Sequence, residues 1–176
     1  MRNQSGFTLM EAIMVTAVLA VLGAVAVPSF LNWMPDIRLK GAAGDIKSDI
    51  QLARQKAIRQ NGNIALLFDV AGNRYTIFVD NGAGGGAANV RNWIRDGAEE
   101  LIRNIALPDN VVMYAAAFSG GAARFRFDGR GLPNGLGGKV RLRNDNNKCR
   151  AIVISMLGRI REQISTDGGL TWEDVD

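Results

Sequence analysis

From Phe7 to Val27 the chain carries a single charged side chain, Glu11, within a run of apolar and small residues. At ~1.5 Å per residue a helix over this run is about 30 Å long, the thickness of a bilayer's hydrocarbon core. A helix that is apolar on every side does not lie on the surface of a soluble domain. The run therefore predicts a membrane-spanning segment, and the globular part of the protein must be built from the residues C-terminal to it.

The residues before the run are equally specific. A secretory signal peptide has a basic leader, a shorter apolar core and a small-residue cleavage site behind that core. Here the small residue, Gly6, stands in front of the run, after a polar leader whose only charge is Arg2. Cleavage there leaves the apolar helix on the mature chain. This layout resembles the type IV prepilin family, through Gly6, then Phe7, Thr8 and Leu9, then Glu11 as the fifth mature residue. Pro28 also falls where many pilins carry a helix-kinking proline. The resemblance implies a prepilin peptidase that cuts after Gly6 and N-methylates Phe7. It also implies a role for Glu11, whose carboxylate would pair with the terminal amine of a neighbouring subunit as helices stack in a filament. A carboxylate in hydrocarbon costs roughly 2–3 kcal/mol on insertion scales, so such pairing favours assembly over remaining alone in lipid.

The remaining chain is long enough for one small globular domain. The expected organisation is a leader over 1–6, a transmembrane helix and filament core over 7–34, an amphipathic helix over 35–62 and a β-rich head over 63–176. Pro35 and Asp36 read as a kink or restart. Beyond them Ile46, Ile50, Ala53 and Ala57 form one apolar helical face, and Asn61-Gly62 is a stop signal. Short strands are expected at 64–68, 74–79, 101–107, 111–117, 123–127, 139–142, 150–155 and 159–164, separated by Gly, Pro and Asn turns. The fold class is α+β: a long N-terminal helix followed by an antiparallel, sandwich-like head.

The head also resembles one branch of the prepilin family, pseudopilin H of type II secretion and the FimT-like minor pilins. The matching stretches are Phe125-Arg126-Phe127-Asp128-Gly129-Arg130-Gly131-Leu132-Pro133, Val140-Arg141-Leu142, Ala151–Ser155 and Leu157-Gly158-Arg159-Ile160-Arg161. The resemblance implies a non-enzymatic filament subunit in a type IV pilus or a secretion pseudopilus, placed at a tip or in a priming complex. Its partners would be the peptidase, other pilins and the bacterial inner membrane, crossed once, with the head in the periplasm.

Little in the composition supports catalysis. There is no histidine, which removes imidazole-based acid–base and metal chemistry. The single cysteine, Cys149, cannot form an internal disulfide and reads as a small strand or strand-edge residue. No cofactor is expected. Gly82–Ala87 formally matches G-x-G-x-x-A but lacks the βαβ context of a nucleotide loop and reads as a mobile surface loop. Ser165–Trp172 matches S-x-D-x-G-x-T-W, a hairpin-turn device in which Asp167 would accept backbone N–H bonds with Trp172 behind it. The acids from Glu162 onward read as a solvated tail.

The basic residues pose a sharper question. Between Arg124 and Arg161, strand alternation would place Arg124 with Arg126, Lys139 with Arg141 and Arg143, and Arg159 with Arg161 on shared faces. Such faces are either ordinary solvated strand surfaces or tracks for the DNA phosphate backbone. Some FimT-like pilins take part in DNA uptake, and in them a C-terminal G-R-x-R resembles Gly158–Arg161. DNA binding is thus the alternative function.

Overall fold

The computed structural model describes residues 8–83 and 90–175. Gly6 and Phe7 lie outside the described residues, as does most of the glycine-rich stretch. The chain divides into two units, Met1–Pro35 and Asp36–Asp176.

In the first unit the described residues are helical from Leu9, the start of α1 (Leu9–Gln60). Thr8 caps it: its Oγ1 accepts the Glu11 N–H at 3.2 Å, half of the Thr-x-x-Glu box that closes helix starts. Almost every side chain of this unit is exposed, including Ile13, Leu19, Leu22, Val25 and Phe30. The helix is long and apolar enough to cross a membrane. Pro28 and Pro35 both lie inside α1. The expected restart at Pro35-Asp36 does not occur, because a proline removes one i→i−4 bond while the ladder on either side can persist.

Among the described residues the second unit contains the rest of α1 and nine strands. β1 (Ile64–Asp69), β2 (Arg74–Val79), β3 (Leu101–Ala106) and β5 (Arg124–Phe127) form a sheet of order β3-β2-β1-β5. β4 (Val111–Phe118), β6 (Gly137–Asn144), β7 (Cys149–Ser155), β8 (Ile160–Ser165) and β9 (Glu173–Val175) form the other, of order β4-β6-β7-β8-β9. All pairings are antiparallel.

One core joins the helix to both sheets. The stripe Ile46, Ile50, Ala53 and Ala57 is fully buried, with Leu39, Ala42 and Ala43 extending it. It meets Ile64, Leu66, Tyr75 and Ile77 of the first sheet and Met113, Val140, Leu142, Ile152 and Ile154 of the second. Phe68, Phe118, Phe125 and Phe127 add an aromatic cluster with centroid separations of 4.5–6.1 Å. Two buried polar contacts fix the helix and strands further. Asp49 accepts the Tyr75 hydroxyl at 2.8 Å, and Glu162 receives Arg150.

α1 ends as its sequence predicts. Asn61 takes a left-handed φ of 45°, and the Gly62 N–H reaches back to the Ala57 carbonyl at 3.0 Å. With the Asn61 N–H on Ile58 O, this is a Schellman closure with asparagine in the usual glycine place.

The solvated acidic tail is corrected. Glu162 is a buried residue of β8, and Glu173–Val175 form β9, paired to β8 through Glu162↔Val175 and Ile164↔Glu173. Two of these acids meet cations of neighbouring elements: Asp174 takes Arg161, and Glu162 takes Arg150 and Lys47. Cross-strand pairing of this kind turns charge into register.

Candidate functional site: an apolar N-terminal helix and the arginine-bearing faces of the head

In the helix, the only one of the expected processing and assembly residues before Pro28 that is described is Glu11. Its backbone is held by Thr8, and its side chain is exposed on an otherwise apolar surface. Pro28 sits within the helix and is exposed.

In the head, the alternation expected of the basic residues holds within strands and then divides them between the two sheets. Arg124 and Arg126 share the outward side of β5, since Phe125 and Phe127 point into the core. That side is partly covered, with Arg126 half-buried and Arg124 exposed. Trp93 lies over both guanidinium groups, at 4.3 Å from Arg126 and 5.0 Å from Arg124. Arg126 also pairs at 3.1 Å with Asp80, whose side chain is fully buried. Arg126 is therefore the cation that pairs with this buried carboxyl group.

Lys139, Arg141 and Arg143 share the outward side of β6, in the other sheet. Arg141 stacks on Trp172 at 5.7 Å and Arg143 on Tyr114 at 5.6 Å. The Tyr114 hydroxyl, withdrawn from water and beside Cys149, has its pKa pushed up to about 12. Arg161 is tied to Asp174 at 3.0 Å, while Arg159 is exposed in the β7–β8 turn. The seven residues thus divide between the two sheets, with Arg124 and Arg126 on the first and Lys139, Arg141, Arg143 and Arg161 on the second. On the second, Lys139 and Arg161 flank Val153 on the same face, with Arg159 in the adjoining turn. Several of the seven are engaged within the chain. Cys149 is buried at the start of β7, as a strand residue should be.

The turn expected at Ser165–Trp172 is present. Asp167 accepts N–H bonds from Leu170 and Thr171 at 2.9–3.0 Å, and Trp172 Nε1 donates to Gly169 O at 3.0 Å. The Ser165 hydroxyl, then the Thr171 hydroxyl and N–H, hold the Asp167 carboxyl well below the usual carboxylate range. All these bonds are internal to the hairpin, which makes it a turn device. Among the described residues no group of His, Cys, Asp and Glu side chains could hold a metal ion.

Two motif stretches that are distant in sequence come together on one helix residue. Arg54 donates from Nε to Gly131 O at 3.0 Å and from Nη1 to Gly158 O at 3.1 Å. Asp128 organises the first of these turns, accepting the N–H groups of Arg130 and Leu132 and the Arg130 guanidinium. Burial works against its ionisation, but the bonds from Leu132 and Arg130 prevail and its pKa is lowered. The D-G-R-G and L-G-R motifs are thus structural knots at the end of α1.

An apolar N-terminal helix that runs on into the core of a two-sheet antiparallel head defines a pilin-like subunit. A family described as Type II transport protein GspH matches residues 42–158, more than half of the chain, and the Prokaryotic N-terminal methylation motif matches residues 1–27. The chain belongs to the GspH family of type II transport proteins, structural subunits of the minor pilin and pseudopilin kind. Among solved structures it is similar to the minor pseudopilin EpsH from the Type 2 Secretion System of Vibrio cholerae. That likeness has a TM-score of 0.54 at 12% identity and covers 71% of this chain and 95% of the other. It is also similar to the type IV minor pilin FimU of Pseudomonas aeruginosa, with a TM-score of 0.50 at 19% identity, covering 78% of this chain and 92% of that one. No curated protein matches it. At these identities the two structures speak for the fold alone.

Proposed function

We propose that the protein works by assembly, as a minor subunit of a type IV pilus or a type II secretion pseudopilus, at its tip or in the complex that primes it. Prepilin peptidase removes residues 1–6 and N-methylates Phe7. The apolar helix then holds the chain in the bacterial inner membrane, crossed once, with the head in the periplasm, until other pilins draw it into the filament. The observation that supports this reading is the double use of one helix. The part before Pro35 exposes apolar side chains, while the part after it gives the head Leu39, Ala42, Ala43, Ile46, Asp49, Ile50, Ala53 and Ala57 as buried residues. A head anchored through its own core is suited to being carried by its helix.

Glu11 gives the assembly step its driving force. Its carboxylate is costly in hydrocarbon, and a neighbour's terminal ammonium neutralises it when helices stack. Glu11→Ala should therefore insert into the membrane but fail to cross-link into filaments. Wild-type assembly and secretion or piliation by that variant would overturn the pairing role. DNA capture gains no comparable support, since Arg126 and Arg161 have carboxylate partners within the head.

A further inference from the structure

The knot on Arg54 has an outward face. The β5–β6 connection and the β7–β8 turn lie side by side, because Gly137 pairs with Ser155 at the start of β6. Their backbones are tightly fitted. A Cβ on Gly131, whose φ is +74°, would lie 2.6 Å from Ile58 Cδ1, and one on Gly158, whose φ is +76°, would lie 2.9 Å from Gly131 O. Yet these fixed turns direct large apolar side chains into solvent. Leu136 is 75% exposed, Leu157 74%, Met156 52% and the adjoining helix residue Ile58 49%. Single exposed apolar residues are commonplace, but four gathered on rigid backbone mark a contact surface.

Arginine surrounds this cluster. Met156 borders a cleft of about 450 Å³ with Arg91, Arg126 and Arg130, and Leu157 and Ile58 border another with Arg54 and Arg159. Asp128 is the one carboxylate lining either cleft, and it is already bound to Arg130. Arg126 is matched by Asp80. Among the described residues Arg91 and Arg159 have no carboxylate partner.

We propose that this face docks the head of a different pilin-type subunit, one that presents apolar side chains rimmed by aspartate or glutamate. The charge selects the partner. A second copy meeting the first through the same face would set arginine against arginine, which like-charge repulsion opposes. An acidic rim instead satisfies Arg91 and Arg159 while the apolar centre leaves water. The turns are held before contact, so docking orders little new backbone. The proposal rests on the assembly reading and names the surface through which it operates.

The test is photo-cross-linking in cells that carry the native assembly, with benzoylphenylalanine in place of Leu157 and, separately, of Val18 in the apolar helix. Leu157 should give an adduct with a different pilin-type protein, mapping beside Asp or Glu. That adduct should fall about tenfold or more in Arg159→Glu and in Arg91→Glu, provided each variant keeps the parent's thermal unfolding. An adduct with the chain itself, with lipid or with nothing, while Val18 still captures pilin-type subunits, overturns the docking face and leaves the assembly reading intact. Failure at both positions overturns both. An adduct indifferent to both charge reversals overturns the acidic partner.

Discussion

Tyr75 donates its hydroxyl to Asp49 Oδ2 at 2.8 Å, joining β2 to the buried side of α1. Burial first, and the carboxylate second, push the phenol far above its ordinary value, so it remains a donor at any working pH. Arg103 reaches the other carboxylate oxygen at 3.5 Å from the half-exposed side. Tyr75→Phe removes one donor from a buried acceptor and should cost about 1–3 kcal/mol. Thermal unfolding of the detergent-solubilised chain measures it. Asp49→Ala should cost at least as much, since it leaves the buried Tyr75 hydroxyl without an acceptor and Arg103 without its carboxylate. A loss well below that of Tyr75→Phe would mean that the hydroxyl does not depend on Asp49.

Arg126 and Lys139 separate structure from surface. Arg126→Ala leaves Asp80 buried and unpaired, which should cost about 3–5 kcal/mol. Lys139→Ala removes a partly exposed cation with no carboxylate partner among the described residues, and should change stability by under about 0.5 kcal/mol. Denaturant midpoints compare them directly. Any loss of DNA retardation in Arg126→Ala should then track unfolding, while equal stability of the two variants would make Arg126 a free cation again.

Asp36 supplies the pH dependence. The Lys148 ammonium donates to its carboxylate, with Asn144 and Asn146 adding amide bonds, and these hold its pKa below the ordinary 3.8. A carboxylate lowered on folding contributes stability in full above its unfolded value, and that contribution is lost as pH falls through the folded value. The stability gap between the parent and Lys148→Met should therefore be constant from pH 7 to about 5 and close below 3.8. Urea unfolding at several pH values reads it. A gap that persists at pH 2 would assign Lys148 a packing role.

Processing is read by mass. In cells with a prepilin peptidase the mature chain should begin at N-methylated Phe7, and Gly6→Ala or a bulkier replacement should slow its appearance. A mature form beginning after Ala24 or Ala26 would instead indicate a conventional signal peptide.

The helix and most strands were legible because their signals are local. Ile46, Ile50, Ala53 and Ala57 repeat at helical spacing and are all buried, and Asn61-Gly62 stops the helix where it stands. Eight of the strands fall within a residue or two of the runs that suggest them. β9 was not legible, because Glu173 and Asp174 have poor strand propensity and are held by partners on β8. Nor does any local pattern announce the cover over Arg124 and Arg126. It depends on Arg91 and Trp93 both adopting left-handed φ, 65° and 70°, without being glycine. The buried carboxylates Asp80 and Glu99 escape notice for the same reason. Their value lies in bonds to the backbone of residues that fold back over them, Arg91 N–H for Asp80, and Gly82 and Asp96 N–H for Glu99. The basic residues were placed correctly along their strands, but alternation says nothing of what lies above a face.

The order in which the strands join their sheets bears on how the head meets mechanical force. β1 to β3 build the first sheet, β4 crosses to the second, β5 returns to complete the first, and β6 to β9 finish the second. Neither sheet is made from one continuous stretch of chain, so neither can peel away and leave the other whole. A pull arriving through α1 enters at the centre of the packing, where Ile46 and Ile50 share a core with strands of both sheets, and not at an edge. The head should yield in one abrupt event at high tension, with no half-open state in which it could slacken a filament under load.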